Sequence, residues 1–348
     1  MYIPNYAVAN TYGPNTSVIF RAMTLTASGR VAIEELLERL KLSGGGEALL
    51  PSFICAAVIE AFNRQKVKIR YYSVNKNLEI NINELNSRIN KSTKLLYLVH
   101  YFGFPDKLFE LQAMAKAKNI LLIEDCAHAL FSKAAGKYLG TIGDGAVFSL
   151  RKFLPLPDGG GYILRSGTGL GGASRSAHSF TGNNWPHLKL LLKEVMFRLG
   201  LNPMIVNGGP KPARPDPANK FISFSSVKKI EQTDEARLVA GRRRNFQFYL
   251  MNIANLGGVS PIFNSLPAGV DPFAFPVLLN GRDQVVDRLK RKGIYLEATF
   301  SDSPSSDPGA KYLADHLLSL PVYQGLADRQ LRCVLSELGK AVCLVGAA

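Results

Sequence analysis

Only four cysteines occur in the 348 residues, Cys55, Cys126, Cys333 and Cys343, and no two stand in a close C-x-x-C pair. That scarcity favours buried thiols of a reducing compartment, the cytoplasm, over a disulfide framework. No run of about 18 uninterrupted apolar residues is found, so no spanning helix is expected. The opening, MYIPNYAVANTYGPN, lacks a basic region leading into an apolar one, so a secretory leader is not expected. Acidic residues are in deficit: 27 Asp and Glu against 42 Lys and Arg leave a net charge of +15. Such a surplus attracts phosphates, nucleotides, nucleic acid or an anionic membrane face. The basic residues are scattered, and the densest run, Arg242-Arg243-Arg244, lies in a helix-like segment without interleaved aromatics, which argues against nucleic acid. Internal repeats are absent as well.

What is present is ordinary for a folded enzyme, with 47% hydrophobic and 20% charged residues. At this length two packed domains are expected. From Ser28, SGRVAIEELLERLKL carries apolar residues at helical spacing and runs into Gly44-Gly45-Gly46, a stop signal. EALLPSF, ICAAVIEAFNRQ and KIRYYSV alternate as strand, helix and strand, and INELNSRI, KLLYLVHYF, LFELQAMAKAKN and ILLIEDCA continue the pattern. That rhythm predicts an α/β domain with a largely parallel sheet. Residues 166–179 and 207–220, rich in Gly and Ser and then in Pro, read as loops. Between them HLKLLLKEVMFRLG reads as a basic amphipathic helix; packing against the body or a partner subunit is the stronger reading, and contact with a membrane surface the weaker. SVKKIEQTDEARLVAGRRRNFQFYL predicts one long bridging helix, and FAFPVLL, DQVVDRLKRKGI and RQLRCVLSELGKAV outline a smaller α+β unit. The expected division is a large domain over 1–245, irregular at 166–220, and a small one over 246–348.

In parallel sheets ligands bind beyond the carboxyl ends of the strands. His100, Asp125 and Lys152 fall at three such ends, after KLLYLV, ILLIE and GAVFS, and are expected to face one pocket. A lysine just past a buried strand is a candidate nucleophile toward aldehydes, as a Schiff base requires. An acid at a neighbouring strand end, Asp125, would keep the ring nitrogen of pyridoxal phosphate protonated. Ser149, three residues before Lys152, would give its hydroxyl to the cofactor phosphate, and the amides of Ser28, Gly29 and Arg30 at a helix start would form an anion site. Each piece alone has a bland reading: a solvated lysine, a turn residue, a common helix start. Together, in this order, they support one another.

The stretches SGRVAIEELL, EALLPSFICAAVIEAF, YYSVNKNLEININELNSRINKSTKLLYLVHYFGFP, LLIEDCAHAL, LGTIGDGAVFSL, KFLPLPDGGG and SLPVYQGLADRQLRCVLSEL resemble, nearly end to end, the DegT/StrS group of pyridoxal-phosphate-dependent sugar aminotransferases. The resemblance implies an α/β, three-layer large domain of the aspartate-aminotransferase fold type I with a mostly parallel sheet, plus a smaller α+β C-terminal domain. It implies the pyridine-nitrogen role for Asp125 and a place near the cofactor ring or its oxygen for His128, where the family has Gln or His. Lys152 resembles the family's cofactor-bearing lysine, because Asp158-Gly159-Gly160 follows it as the family's acidic-Gly-Gly triplet does. Also implied are pyridoxal 5'-phosphate without a metal, a homodimer, and amino transfer from glutamate to a nucleotide-linked keto-sugar in polysaccharide or glycosylated-metabolite biosynthesis.

Three departures stand beside the resemblance. Ser149-Leu150-Arg151-Lys152 is two residues shorter than the family's usual serine-to-lysine stretch. The aromatic that commonly stacks on the cofactor ring would fall near Ile54 or Cys55. The Asn-Tyr-Arg segment that reaches into a neighbouring subunit's site has no clear equivalent before Ser225-Ser226-Val227-Lys228. Two alternatives follow: a pyridoxal-phosphate-dependent sugar dehydratase, whose relatives carry histidine in place of the lysine, and a catalytically degenerate member that acts as a binding or regulatory partner. Lys152 argues against the first; the departures sustain the second.

Overall fold

The computed structural model describes residues 16–165 and 220–346. The amphipathic helix and most of the loops expected between 166 and 220 lie outside the described residues.

The first stretch runs through α1 (Val18–Arg21), β1 (Thr24–Thr26), α2 (Gly29–Arg39), β2 (Glu47–Pro51), α3 (Ala56–Arg64), β3 (Lys68–Tyr72), α4 (Ile82–Arg88) and β4 (Thr93–Val99). It continues with α5 (Leu108–Lys118), β5 (Leu121–Asp125), the short hairpin of β6 (Lys133–Ala134) and β7 (Lys137–Tyr138), β8 (Gly145–Phe148) and β9 (Gly160–Leu164). Seven strands form one sheet in the order β1-β9-β8-β5-β4-β2-β3. From β8 to β3 every pairing is parallel, and β9 and β1 add an antiparallel edge. The central strands read as near-continuous apolar runs, LLYLV in β4 and LLI in β5, because both faces of a parallel sheet are covered. α2 starts where Ser28, in extended conformation, accepts the Val31 N–H on its side-chain oxygen; Val31, Ala32, Ile33, Leu36 and Leu37 then face the core.

One glycine decides how closely that helix start approaches the sheet. A Cβ on Gly160 would lie 2.1 Å from the Ser28 carbonyl carbon and 2.3 Å from the Gly29 nitrogen. Only glycine fits there, and the Gly159 N–H donates to Ala27 O at 2.8 Å beside it. The acidic-Gly-Gly triplet is therefore the seam that joins the Ser28 turn to the edge of the sheet.

The expected single helix over 226–250 is two helices, Phe224–Glu231 and Glu235–Asn252. Asp234 breaks it: its carboxylate accepts the Arg237 N–H and caps a new N-terminus, a local bond that outcompetes continuation of the first helix. Beyond lie an antiparallel sheet of β10 (Val259–Pro261), β11 (Ala274–Leu279) and β12 (Leu317–Pro321), and the helices Arg282–Arg291, Pro308–His316 and Asp328–Gly346. Phe246, Tyr249, Phe275, Val277, Leu289, Leu320 and Leu338 form a second hydrophobic cluster between these elements, separate from the one around the large sheet. Among the described residues no helix is long and apolar enough to cross a membrane.

Asp271, just before β11, is fully buried, and its carboxyl oxygens have no hydrogen-bond partner of good geometry. Burial pushes its pKa up to about 7, against the pull of the Arg242 and Arg243 guanidiniums and the Phe131 N–H and with the help of Glu235. A carboxyl whose folded value lies above its unfolded one contributes stability below about pH 4 that is lost as pH rises toward 7. Asp271→Asn is therefore expected to gain on the parent as pH rises from 5 to 8, by up to about 3 kcal/mol at the upper bound. Thermal unfolding of both proteins across that range checks this; a difference that stays flat with pH would disprove it.

Candidate active site

Two strand ends and a helix start meet in one cavity of about 230 Å³. Its lining includes Ser28, Gly29, Arg30, Asp125, His128, Ser149 and Lys152, so seven of the eight residues singled out in the sequence converge there. Asp125 ends β5 and is 5% exposed. One carboxylate oxygen accepts from the Tyr97 hydroxyl on β4 at 2.9 Å, and the other accepts the Ala127 N–H at 2.9 Å. Burial pushes this carboxyl up; the Ala127 N–H, Lys152 and the Tyr97 hydroxyl pull the other way.

β8 ends at Phe148, and the chain turns through a short 3-10 segment, Leu150–Lys152. That tight turn is how the shortened S-x-x-K spacing still delivers the lysine: Lys152 Nζ lies 2.9 Å from His128 Nε2, within the cavity. Burial, reinforced by Lys152, holds His128 well below the ordinary histidine range, so the ring is neutral. With the amine donating, Nε2 accepts and the ring proton belongs on Nδ1. His128 Nδ1 is buried and has no partner. The ring is packed in place, stacked on Phe273 at 4.3 Å and nearly parallel to Phe300 at 5.3 Å.

The anion end is built by close approach. A Cβ on Gly29 would lie 3.3 Å from Phe148 O and 3.4 Å from Ser149 Cβ, so the first turn of α2 abuts Ser149. Asp158 locks the seam from behind, accepting from the Ser223 N–H and hydroxyl at 2.8 Å each and from the Ser226 hydroxyl.

His100 is the exception. It is fully buried, but its Nε2 is 2.8 Å from Glu124 Oε2, outside the cavity, and Val99 lines the wall instead. Successive side chains of a strand point to opposite faces, so Glu124 turns away from the cavity that Asp125 enters. There Glu124 also accepts the N–H groups of Gly140, Ile142 and Gly143. Burial opposes its charge, but His100 and the Gly143 and Gly140 amides outweigh that and hold the carboxyl below the usual range.

Sequence reasoning missed several lining residues: Arg64, Arg151 and Phe300, besides Cys55. Arg151 sits beside the lysine that drew attention and was passed over. Phe300 lies some 150 positions further along, and no local pattern marks it.

Residues 21–167 match the sequence model of the DegT/DnrJ/EryC1/StrS aminotransferase family. The chain is 31% identical over 148 residues to GDP-perosamine synthase of Escherichia coli O157:H7, a match that spans 42% of this chain and 41% of that enzyme. It is 25% identical over 332 residues, 91% of this chain and 83% of the relative, to the UDP-N-acetyl-3-dehydro-alpha-D-glucosamine 3-aminotransferase of Acidithiobacillus ferrooxidans. In fold it is similar to the aminotransferase TlmJ of Streptoalloteichus hindustanus, with a TM-score of 0.69 and 21% identity over 93% of this chain and 86% of that one. Spr1654 of Streptococcus pneumoniae in its PLP form gives a TM-score of 0.70 at 17% identity, covering 96% of this chain and 93% of that one.

Pyridoxal phosphate, the cofactor of this family, fits the residues present. The cavity offers an amine at Lys152, a buried carboxylate at Asp125 for a ring nitrogen, hydroxyl and amide donors at Ser149 and the start of α2 for a phosphate, and a buried imidazole nitrogen still without a partner. The match to the DegT/DnrJ/EryC1/StrS aminotransferase family over residues 21–167 takes in Ser28, Gly29, Arg30, Asp125, His128, Ser149 and Lys152 of this cavity.

Proposed function

We propose that the chain transfers an amino group from an amino donor, glutamate, to a keto-sugar carried on a nucleotide diphosphate. The single observation that carries this reading is that Lys152 and Asp125, from neighbouring strand ends, share one cavity with the helix start at Ser28. Pyridoxal phosphate supplies an aldehyde to receive an amine and a ring that spreads the negative charge of a deprotonated carbon. Lys152 Nζ would hold the cofactor's aldehyde at rest and, when free, would act as the acid/base that carries a proton between the cofactor carbon and the donor carbon and, in the second half-reaction, between the cofactor carbon and the sugar carbon. The Asp125 carboxylate would keep a proton on the ring nitrogen, and Ser149 with the amides of Ser28, Gly29 and Arg30 would hold the phosphate so that the reacting atoms stay placed. His128, accepting from Nζ, sets the direction in which the amine points.

Arg30, Arg64 and Arg151 around the same cavity support an anionic substrate. Two of the relatives, GDP-perosamine synthase and the UDP-N-acetyl-3-dehydro-alpha-D-glucosamine 3-aminotransferase, are named for nucleotide-linked sugars. The same reading includes a homodimer, a cytoplasmic location, and a large unit to residue 245 followed by a small one, the last supported by the two separate hydrophobic clusters. The degenerate reading keeps two supports, the absence of an aromatic at Ile54 and Cys55 and the lack of a clear Asn-Tyr-Arg equivalent before Ser225.

An absorbance spectrum of the purified protein with pyridoxal phosphate, before and after glutamate, decides between them. A visible band that bleaches on adding glutamate supports amino transfer. A protein that never develops the band refutes it.

A further inference from the structure

We propose that Phe300 is the aromatic side chain against which the cofactor ring rests in this chain, replacing the aromatic absent at Ile54 and Cys55; the inference builds on the cofactor reading above. Among the described residues, only two of the cavity lining carry a benzene ring, Phe148 and Phe300. The Phe148 ring points elsewhere, since its Cζ lies 2.5 Å from where a Cβ on Gly140 would stand. The Phe300 ring stands nearly parallel to the His128 imidazole, at 5.3 Å and 14°, with Lys152 Nζ 5.9 Å from its centroid. It therefore presents a flat apolar face beside the amine and the buried imidazole.

The backbone that delivers it is strained and held. Phe300 has φ 55, in the left-handed region that bulky residues rarely occupy, a strain that persists only where the surroundings demand it. The surroundings do demand it. Thr299 is buried with its hydroxyl 2.7 Å from that of Ser319 on β12, which anchors the start of the loop. Ser303 anchors its middle, donating to Ser52 O at 3.0 Å and accepting the Ile54 N–H at 3.2 Å. Asp307 closes it, accepting from the Ser73 hydroxyl at 2.7 Å. Phe53, at 5.3 Å and 62°, and Tyr101, at 6.4 Å and 64°, pack steeply inclined to the ring.

The clip thus lands on the segment, 52–54, that runs into the position where the expected aromatic is missing. Cys55 lines the cavity with a small thiol, and Ile54 is buried in the core, so neither presents a ring to a ligand. A phenylalanine forced into the same cavity from the other side of the chain fills that role.

The test uses pyridoxamine 5'-phosphate, which binds without a covalent bond to Lys152, and inorganic phosphate, which has no ring. Their dissociation constants are measured by calorimetry for the parent, Phe300→Leu, Phe300→Tyr and Ser303→Ala. Phe300→Leu is expected to bind pyridoxamine phosphate about tenfold more weakly, the scale of a lost ring-to-ring contact together with its buried area. Phe300→Tyr restores the affinity, and Ser303→Ala, which only loosens the clip, falls between the two. Inorganic phosphate binds all four proteins alike. Unchanged affinity of Phe300→Leu for pyridoxamine phosphate overturns the assignment, as does an equal loss for both ligands, which would mean a general loosening. A parent that binds no pyridoxamine phosphate overturns the cofactor reading and this one together, whereas a parent that binds it beside an equally good Phe300→Leu overturns only this one.

Discussion

Lys152→Ala will abolish amino transfer, with a loss of at least about 10⁴-fold in single-turnover rate, because one side chain is asked to be both the amine that holds the cofactor and the proton carrier. The fold will stand. Lys152 ends a short turn at the cavity wall, its amine is hydrogen-bonded to His128, and truncation opens onto the cavity rather than leaving a sealed void. The unfolding midpoint is expected to stay within about 3 °C of the parent. The neighbours will register the change. Lys152 pulls the Asp125 carboxyl down and pushes His128 down, so both groups should titrate higher once it is gone. Turnover by the variant at more than a hundredth of the parent rate would falsify the assignment of Lys152.

Asp125→Asn is the second large effect. The amide has the shape of the carboxyl, and the Tyr97 hydroxyl can turn to accept from it, so the buried site survives. What is lost is the charge. Burial already pushes the Asp125 carboxyl up, and a protonated ring nitrogen facing it is the kind of partner that would bring the value back down. An asparagine cannot make that exchange, so the ring nitrogen loses its proton and with it much of its capacity to accept charge. A fall of about 10²- to 10⁴-fold in the rate of proton removal from glutamate is expected, with cofactor still bound. Rates within fivefold of the parent at saturating cofactor would move the acid's role to another residue.

Much of the fold and the site could be read before any coordinates. The strand and helix rhythm from Ser28 to Asp125 rests on local periodicity, and the structure keeps it element by element. Asp125 and Lys152 were legible because the end of a parallel strand is a position in sequence as well as in space. His100 looked equivalent and was not, since reading a strand end does not say which face the following side chain takes; Glu124, satisfied by three amides, claims it. The break at Asp234 shows the opposite failure, a helical period that continues while a single capping carboxylate ends the helix beneath it. Phe300 was beyond reach for a simpler reason. Its place depends on Ser303 meeting Ser52 and Ile54, about 250 positions apart, and no window of sequence contains both.

Glu124 and Asp125 are adjacent carboxylates with divided duties: the first is closed off by His100 and the Gly140, Ile142 and Gly143 amides, and the second opens to the cavity. Architecture and chemistry are thereby separated by one step along a strand. A lineage carrying this chain could lose Asp125 or Lys152 to drift and still inherit an intact scaffold, because the loop leading into β8 hangs on Glu124. The reverse substitution has no such latitude: changing Glu124 would disturb the loop before β8, and with it the lysine, without ever touching a ligand. Non-catalytic descendants of such a scaffold should accordingly be recognised by a retained glutamate beside a replaced aspartate.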